Sequence, residues 1–361
     1  MSRKIGIGTG GGDAPGLNAV IRGIVKHGTL HYNCELFGIE ECLNGLQIPG
    51  KEVWPLDKKS VQGLLSKGGT ILGTTNRGNP FGKDENGRDR GQIAKERFDE
   101  LGLDGLILIG GDGTQLIGHK LMTEYGIPVI GVPKTIDNDL AATDFTFGFW
   151  SAVGVATDAL DRLNTTAESH DRIMVLEVMG RTAGWIALYA GVAGDADCIV
   201  VPEIPYNTKN FANKVQERRD NNRNFTLIIV AEGAEPNPEF LDEGTKSELQ
   251  NIKGAGAKIS YLLEKELLNK NIDAEIRVTV LGHIQRGGSP IPFDRVLATQ
   301  YGVRAIELAM EDRWGELVVY KGGEITSVPV KDVVGAPREI DPSHHLVQTA
   351  KNIGVTFGDE T

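Results

Sequence analysis

The sequence predicts an α/β fold in two lobes, with mostly parallel sheets covered by helices. The chain has 361 residues, which is too long for one ordinary hydrophobic core and suits two. Short, continuously apolar segments also alternate with longer helix-like segments. Strands that are apolar along their whole length are typical of parallel sheets buried on both faces, so this alternation favours parallel sheets between helices.

The elements can be placed in chain order from these patterns. Continuous apolar runs predict strands at residues 4–9, 35–39, 105–109, 128–132, 173–178, 198–201, 225–231 and 276–281. Helical periodicity predicts helices at residues 17–27, 93–101, 116–125 and 149–163. Two polar stretches interrupt the pattern. Residues 79–90 are predicted to form a loop or lid, and residues 235–251 a surface insertion.

Composition excludes several classes of function. Hydrophobic residues make up 40% and charged residues 24%, as in ordinary globular proteins. A net charge of -11 argues against a general nucleic-acid binder, so anionic substrates would need a local concentration of positive charge. The apolar runs are too short to cross a membrane, and Met1-Ser2-Arg3-Lys4 leads directly into a strand without a signal region. The spacing of Cys34, Cys42 and Cys198 suits neither a metal site nor a disulfide framework, so we expect a cytoplasmic location.

Glycine-rich or polar segments follow the predicted strands, where ligands bind in open parallel sheets. In Gly10–Asn18, glycines would let the backbone approach a phosphate and a helix N terminus would favour its charge. A simple strand-to-helix turn explains this segment equally well. The G-x-G-x-x-G of residues 6–11 begins inside the strand and is a poor dinucleotide fingerprint. Glu40 or Glu41 could still serve as its ribose acid, so a nicotinamide oxidoreductase or a nucleotide-sensing module remains an alternative.

Two acidic turns suit phosphoryl transfer. In Gly110-Gly111-Asp112-Gly113-Thr114 the glycines leave room and the aspartate could reach Mg²⁺, although an aspartate capping the next helix is the alternative. This turn lacks the Gly-Lys-Ser/Thr ending of a Walker A loop. In Pro133–Asp139 a lysine precedes two carboxylates, and a carboxylate can take the proton of an attacking alcohol. An ordinary Asp/Asn turn is the alternative here.

Four arginines are predicted to lie beside strand ends, with one histidine near them: Arg172, Arg181, Arg277, Arg286 and His283. Arginine matches phosphate oxygens in a bidentate way. A single arginine is more often solvated or ion-paired than a ligand. Four of them in an acidic protein nevertheless fit the local positive charge that anionic substrates would need.

The ordered set GGDAPGLN, GGDGT, PKTIDND, VMGRTAGW and GHIQRGGSP resembles the 6-phosphofructokinases of the bacterial type, over roughly residues 4–310. The resemblance implies two Rossmann-like lobes with the active site in the cleft between them. It implies a donor lobe of residues 1–148 plus 285–335 and a fructose 6-phosphate lobe of residues 149–284 plus 336–361. It also implies that ATP and Mg²⁺ phosphorylate the 1-hydroxyl of fructose 6-phosphate to give fructose 1,6-bisphosphate.

The resemblance carries roles onto individual residues. The implied donor-binding residues, with Asp112 as the Mg²⁺ ligand, are Gly12, Arg77, Gly111, Asp112, Gly113, Thr114 and Lys134. The implied catalytic residues are Asp137 as general base, its supporting Asp139, and Arg181. The implied substrate contacts are Thr135, Asp137, Met179, Gly180, Arg181, Glu232, His283 and Arg286. Arg172 and Arg277 match residues that the family lends to a neighbouring active site, which implies a dimer or tetramer.

Two departures qualify the resemblance. Members that use pyrophosphate resemble this chain at Lys134 but usually carry aspartate where it has Gly113. Because a buried like charge excludes a ligand more strongly than an extra lysine attracts one, we predict ATP, with pyrophosphate as the alternative. At the effector site of the family Arg22 is kept, but Asn164 and Lys26 replace two arginines, so the resemblance does not extend fully to that site.

Overall fold

The chain folds into two units, each built around its own β-sheet. A computed structural model describes residues 2–335 and 337–360. The first unit comprises Met1–Ile136, Leu140–Ser151 and Arg286–Pro337, and the second comprises Asp137–Asp139, Ala152–Gln285 and Arg338–Thr361. Residues 137–139 therefore belong to the second unit, although the residues on either side of them belong to the first.

The strands and helices of the described residues are as follows. The strands are β1 Lys4–Thr9, β2 Glu35–Ile39, β3 Val53–Leu56, β4 Gly105–Gly110, β5 Val129–Pro133, β6 Ile173–Val178, β7 Cys198–Val200, β8 Thr226–Ala231, β9 Ile276–Val280, β10 Glu316–Lys321 and β11 Glu324–Pro329. The helices are α1 Leu17–His31, α2 Asn44–Gln47, α3 Arg90–Glu100, α4 Asp112–Tyr125, α5 Phe149–His170, α6 Trp185–Ala193, α7 Thr208–Asp220, α8 Glu243–Leu249, α9 Ala255–Asn269, α10 Pro292–Met310 and α11 His345–Asn352.

The sheet of the first unit has seven strands in the part of the chain that the structure describes, in the order β11-β10-β5-β4-β1-β2-β3. Its central strands are parallel, and only the outer pairs β2–β3 and β10–β11 are antiparallel. Alternate residues of β4 enter different cores. Ile107 packs with α1 and α10, whereas Leu106 packs with α3 and α4. Both faces are covered, which explains why the strand is apolar throughout.

The described part of the second unit forms a parallel sheet of four strands in the order β7-β8-β6-β9. Ile228 and Val230 of β8 pack with α7 and α9 in one core. β9 pairs with β6 on one side, and no described strand pairs with its other side. Val278 and Val280 are 41% and 60% exposed, so this edge of the sheet carries apolar side chains that the described residues leave partly uncovered.

The predicted fold class is confirmed, and each predicted strand is present with ends that shift by at most one residue. The four predicted helices are also present, but α1 and α5 continue past their predicted ends and α3 and α4 begin earlier. Residues 79–89 contain turns and one isolated bridge, without a helix. The stretch 235–251 contains α8, and Leu249 packs into the core of the second unit, so the expected insertion is partly built into the fold.

None of the helices in the described ranges is both long and apolar enough to span a membrane. The three cysteines are buried free thiols. A cytoplasmic location stays a prediction.

Candidate active site

The turn after β1 brings backbone and cations together in the first unit. Gly11 has a φ of 77°, a conformation that favours glycine. A Cβ on Gly12 would lie 2.9 Å from Nη1 of Arg286, and the same nitrogen donates to the carbonyl of Asp13 at 3.2 Å. The ammonium of Lys134 donates to the carbonyl of Gly12. Two positive side chains therefore contact the turn that was predicted to hold phosphates.

A second turn meets the first at the N terminus of α4. A Cβ on Gly10 would lie 2.6 Å from Oγ1 of Thr114, and a Cβ on Gly110 would lie 2.2 Å from the same oxygen. Thr114 is buried and fills the space beside both turns. The first backbone N–H groups of a helix have no partner within it, and together with the helix dipole they favour an anion. The two turns thus meet around Thr114 at the N terminus of α4 in the first unit, and we call this place the recess.

Asp112 is the first residue of α4, and the N-cap is Gly111. The aspartate therefore lies inside the helix and does not cap it, unlike the alternative considered from the sequence. One of its oxygens, Oδ1, accepts a hydrogen bond from the backbone of Gly335 at 3.2 Å. A Cβ on Gly113 would have no described atom within 4 Å beyond the adjoining helical backbone. This position is the open part of the recess.

Lys134 follows β5 and is buried, with 3% of its surface exposed. Its backbone N–H donates to the carbonyl of Gly110 at 3.0 Å, so the residue is fixed against the second turn while its ammonium reaches the first. Arg77 lies on the neighbouring segment, where its N–H donates to Oγ1 of Thr75, and Thr75 in turn accepts from Gly11. The predicted donor residues of the first unit are therefore neighbours in the fold.

The carboxylates that a dinucleotide site would use already have a partner. Lys51 donates to Glu40 at 2.7 Å and to Glu41 at 2.9 Å. A Cβ on Gly6, in the G-x-G-x-x-G stretch, would lie 2.7 Å from Cδ2 of Leu106. That glycine permits close packing inside the sheet and does not face a ligand. Neither feature supports the oxidoreductase alternative.

The turn that carries both acidic residues belongs to the second unit. Asp137 is 3% exposed, and Asn138 is fully buried with a φ of 53°, a left-handed conformation that asparagine tolerates. The carbonyl of Asp139 accepts a hydrogen bond from the backbone of Arg338 at 2.8 Å. Thr135, just before this turn, belongs to the first unit, and its carbonyl accepts from the hydroxyl of Thr146 at 2.7 Å. Residues 137–139 are thus a short segment rich in Asp and Asn, as the alternative from the sequence proposed, and this segment also buries Asp137.

The carboxyl ends of β6 and β8 hold Arg181 in a strained conformation. The residue has a φ of 54°, which costs a non-glycine residue about 1–3 kcal/mol. Its N–H donates to Oε1 of Glu232 at 2.9 Å, and a Cβ on Gly233 would lie only 2.0 Å from its carbonyl oxygen. Gly180 has a φ of 144° beside Met179 in the same loop. Residues from two adjacent strand ends thus fix the backbone of the exposed arginine.

Three of the four predicted arginines belong to the second unit, and the structure separates them into two places. Arg172 precedes β6 and Arg277 lies near the start of β9, and both form ion pairs with Glu275. Hydrogen bonding to Arg172 is the main reason that the pKa of Glu275 lies below its usual range. Arg181 follows the other end of β6, and six residues of strand span about 20 Å. Arg172 and Arg277 therefore do not cluster with Arg181 within the second unit.

His283 lies in a short 3₁₀ helix, Gly282–Arg286, that follows β9, and its side chain is exposed. It therefore lies at the same edge of the four-stranded sheet as Arg181 and Glu232, because β8, β6 and β9 are adjacent and parallel. Arg286, at the end of that short helix, belongs to the first unit.

No group of three or more His, Cys, Asp or Glu side chains is arranged for metal binding within the described ranges. A Mg²⁺ ion in a kinase site needs fewer protein ligands, because phosphate oxygens and water complete its coordination. Asp112 beside the open recess suits that arrangement.

Sequence reasoning missed two residues, Arg338 and Glu203, that contact the segments predicted to be catalytic. The carbonyl of Arg338 accepts a hydrogen bond from the indole N–H of Trp185, which is 153 residues away in the sequence. The carboxylate of Glu203 accepts one from the backbone N–H of Ile340, which is 137 residues away. Motif reading finds neighbours within a segment, so neither pairing has a local signal. The tryptophan of VMGRTAGW was the one available hint, since a buried indole N–H needs a partner.

Comparison with known proteins agrees with this architecture. The family model described as Phosphofructokinase matches residues 4–309. "ATP-dependent 6-phosphofructokinase 2" of Clostridium perfringens is 47% identical over 366 residues, which cover 99% of each chain. "ATP-dependent 6-phosphofructokinase" of Chloroflexus aurantiacus is 48% identical over 99% of this chain and 98% of its own. The chain belongs to the phosphofructokinase family, and its resemblance to the bacterial ATP-dependent enzymes is confirmed.

Solved structures show the same fold. Pichia pastoris phosphofructokinase in the T-state superposes with a TM-score of 0.79 at 32% identity, over 92% of this chain. This chain spans only 35% of that yeast chain. A pyrophosphate-dependent phosphofructokinase from Marinobacter aquaeolei has a TM-score of 0.78 at 21% identity, over 94% of this chain and 86% of its own. That likeness shows a shared fold.

Proposed function

We propose that this enzyme is an ATP-dependent 6-phosphofructokinase, which transfers the γ-phosphoryl group of ATP to the 1-hydroxyl of fructose 6-phosphate in glycolysis. The observation that carries the proposal is the meeting of two glycine turns at the N terminus of α4, with Lys134 beside them. The bacterial relatives are named as ATP-dependent enzymes and match nearly the whole chain, which favours ATP over pyrophosphate as the donor.

The first unit would bind the donor. Backbone N–H groups at the α4 N terminus and the charge of Lys134 suit the phosphates, and Arg77 adds a second cation on the adjoining segment. Thr114 shapes the recess, and the room at Gly113 accommodates the α-phosphate of a nucleotide. Asp112 would hold Mg²⁺, which neutralises charge on the donor phosphates when bound.

Residues of the second unit would bind the sugar and move the proton. Asp137 accepts the proton of the 1-hydroxyl as that oxygen attacks the phosphorus, and Asp139 supports the turn. Arg181 stabilises the negative charge on the transferred group. Met179, Gly180 and Glu232 lie at the same strand ends and would contact the sugar. In this proposal Thr135 also contacts the sugar, while His283 and Arg286 bind the 6-phosphate.

We further propose a homo-oligomer in which Arg172 and Arg277 serve a neighbouring active site. Both arginines lie about 20 Å from Arg181 along β6, so they are remote from the sugar loop of their own unit. They are next to the uncovered edge of β9, whose exposed valines suit contact with a second copy of the chain. Glu275 neutralises both arginines until a sugar phosphate competes for them.

The chemistry is tested with a donor panel and one conservative variant. Purified enzyme is assayed with fructose 6-phosphate, Mg²⁺ and either ATP or pyrophosphate, and we expect turnover with ATP to dominate. Asp137→Asn keeps the buried volume but removes the base, so we expect kcat to fall by about 10²–10⁴-fold. Binding of fructose 6-phosphate, measured by calorimetry, is expected to survive. Full activity in this variant, or turnover with pyrophosphate alone, would contradict the proposal.

The shared site is tested by complementation. Arg277→Ala and Asp137→Asn variants are each expected to be weakly active alone. If subunits exchange arginines, mixed oligomers contain some sites in which both residues are intact, so co-refolded mixtures regain part of the activity. Mixtures that stay as inactive as their components would argue against a shared site.

A further inference from the structure

We propose that residues 338–340, which we call the C-terminal strap, position the turn of Asp137 and the loop of Arg181 for catalysis. The strap contacts both segments, and all three belong to the second unit. Trp185 and Glu203 connect the strap to the arginine loop, and we infer that both are positioning residues. This inference rests on the proposed kinase function, since it concerns the same site.

The first contact fixes the acidic turn. The backbone N–H of Arg338 donates to the carbonyl of Asp139 at 2.8 Å. Asp137 lies in a bend of the chain, the left-handed Asn138 follows it, and both are buried, so Asp139 is only two residues from Asp137 in the same short segment. A hydrogen bond to one end of such a short segment restrains its other end as well. The strap therefore limits the movement of Asp137.

The second contact reaches the arginine loop through Trp185. This residue lies four positions after Arg181, begins α6 and is 2% exposed. Its indole N–H donates to the carbonyl of Arg338 at 3.0 Å, and the Arg338 guanidinium lies 4.4 Å from the ring centroid. A buried indole N–H needs such a partner, and a cation over the ring adds attraction. The backbone N–H of Arg338 thus bonds to the acidic turn, and its carbonyl bonds to Trp185 beside the arginine loop.

The third contact ties the other end of the strap to the same loop. Glu203 accepts from the backbone of Ile340 at 3.0 Å and from the backbone of Gly184 at 3.0 and 3.1 Å. A Cβ on Gly184 would lie 2.4 Å from Cβ of Val201, so only glycine allows this approach. Burial raises the pKa of the Glu203 carboxyl, while the hydrogen bonds from Ile340 and Gly184 oppose that rise. The Glu203 carboxylate therefore joins the C-terminal strap to the arginine loop, at a glycine whose position leaves no room for a side chain.

These contacts have a consequence for the reaction. Phosphoryl transfer depends almost entirely on positioning and charge stabilisation, and a displacement of 1 Å can cost about 10²-fold in rate. The base and the arginine are on different segments that are distant in sequence. A shared anchor keeps their separation constant, and loosening the anchor would lower kcat without removing any group that touches substrate.

The experiment uses the full-length enzyme and variants that loosen the anchor. Trp185→Phe removes the indole N–H but keeps an aromatic ring under Arg338. Glu203→Ala removes the carboxylate, and Glu203→Gln restores an acceptor oxygen. Trp314→Phe is the matched control, because the Trp314 indole N–H makes a long 3.4 Å contact with Asp312 and the residue belongs to the first unit, whereas the strap belongs to the second. For each protein we would measure Tm, the folded fraction, kcat per folded enzyme, and KM for both substrates.

We expect Trp185→Phe and Glu203→Ala to lower kcat by about 10–100-fold with little change in the KM for ATP. Glu203→Gln is expected to recover most of the loss, and Trp314→Phe to retain the wild-type kcat. If Glu203→Ala does not fold, kcat per folded enzyme of Trp185→Phe and of Glu203→Gln still tests whether the strap affects catalysis. A lower Tm with an unchanged kcat per folded enzyme would show a purely structural contact and would overturn the proposal.

A double-mutant cycle separates positioning of the base from other effects. Combined with Asp137→Asn, the Trp185→Phe change is expected to lower the residual rate by clearly less than it lowers the wild-type rate, because one of the two groups it positions is already inactive. Equal losses in both backgrounds would overturn a role in positioning Asp137. A wild-type enzyme without turnover on any donor would refute the proposed function and this inference together. An active wild type with unaffected strap variants would refute the inference alone.

Discussion

Replacing Gly113 with aspartate is expected to reduce the use of ATP strongly while leaving the fold intact. The position is exposed, lies in the first turn of α4, and has no described atom within 4 Å of a built Cβ beyond the helix backbone. A carboxylate in the first turn of a helix stabilises it by about 0.3–1 kcal/mol. The substitution should therefore fit sterically and keep or raise the Tm.

The loss of ATP use can be estimated from charge alone. A carboxylate about 4 Å from a phosphate, at the effective dielectric constant of about 20 found near protein surfaces, is repelled by about 4 kcal/mol. Each 1.36 kcal/mol is a factor of ten in rate, so kcat/KM for ATP is expected to fall by about 10³-fold. Gly113→Asp is thus expected to keep or raise the Tm while it lowers kcat/KM for ATP.

The matched control is Gly113→Asn, which has the same shape without the charge. Kinetics at saturating fructose 6-phosphate would give kcat/KM for ATP in the wild type and both variants, and thermal unfolding would give their Tm values. The aspartate variant should be about 10³-fold worse than the asparagine variant. Equal losses in both would mean that volume, and not charge, excludes the nucleotide, and the argument for the donor would fail.

Two further predictions concern the buried carboxyl of Asp294 and the close contact between Gly233 and the carbonyl of Arg181. Burial raises the pKa of Asp294 to about 6, above its value in the unfolded chain. The folded state therefore binds this proton more tightly than the unfolded state does. The wild-type protein loses stability as the pH rises from the unfolded pKa through the folded pKa. Asp294→Asn should therefore gain about 1–2 kcal/mol relative to wild type between pH 5 and pH 8 in urea unfolding, and a constant difference would refute this. Gly233→Ala places a methyl group 2.0 Å from the carbonyl of Arg181, so we expect a rise of about tenfold or more in the KM for fructose 6-phosphate. Gly154→Ala, with open space around its Cβ, is the control, and equal kinetics in the two variants would count against the prediction.

The strands that were predicted well are those buried on both faces. In β4, Leu106 and Ile107 enter different cores, so every residue must be apolar and the run is visible in the sequence. The hairpin β10–β11 was missed although its signal was present. Gly322 and Gly323 have φ values of 61° and 92°, which suit a tight two-residue turn, and apolar residues follow on both sides beyond Lys321 and Glu324.

The site could be predicted only where its residues are contiguous. The turn of Gly110–Thr114 and the turn of Asp137 are short segments whose chemistry is readable in order. The partners of Arg172 and Arg277 depend on strand order, because the parallel register places Ile173 beside Ile276. No local pattern reveals that pairing. The strap is hidden for the same reason, since its contacts join residues more than 130 positions apart.

Thr114 gives the proposed donor site an uneven tolerance to substitution. Gly10 and Gly110 both press against this one side chain, so an added methyl group at either would displace the same buried threonine. Gly113, three residues along from Gly110, borders open space and can accept new side chains freely. Selection or design could therefore retune which polyphosphate enters by altering a single codon, while the surrounding framework stays locked.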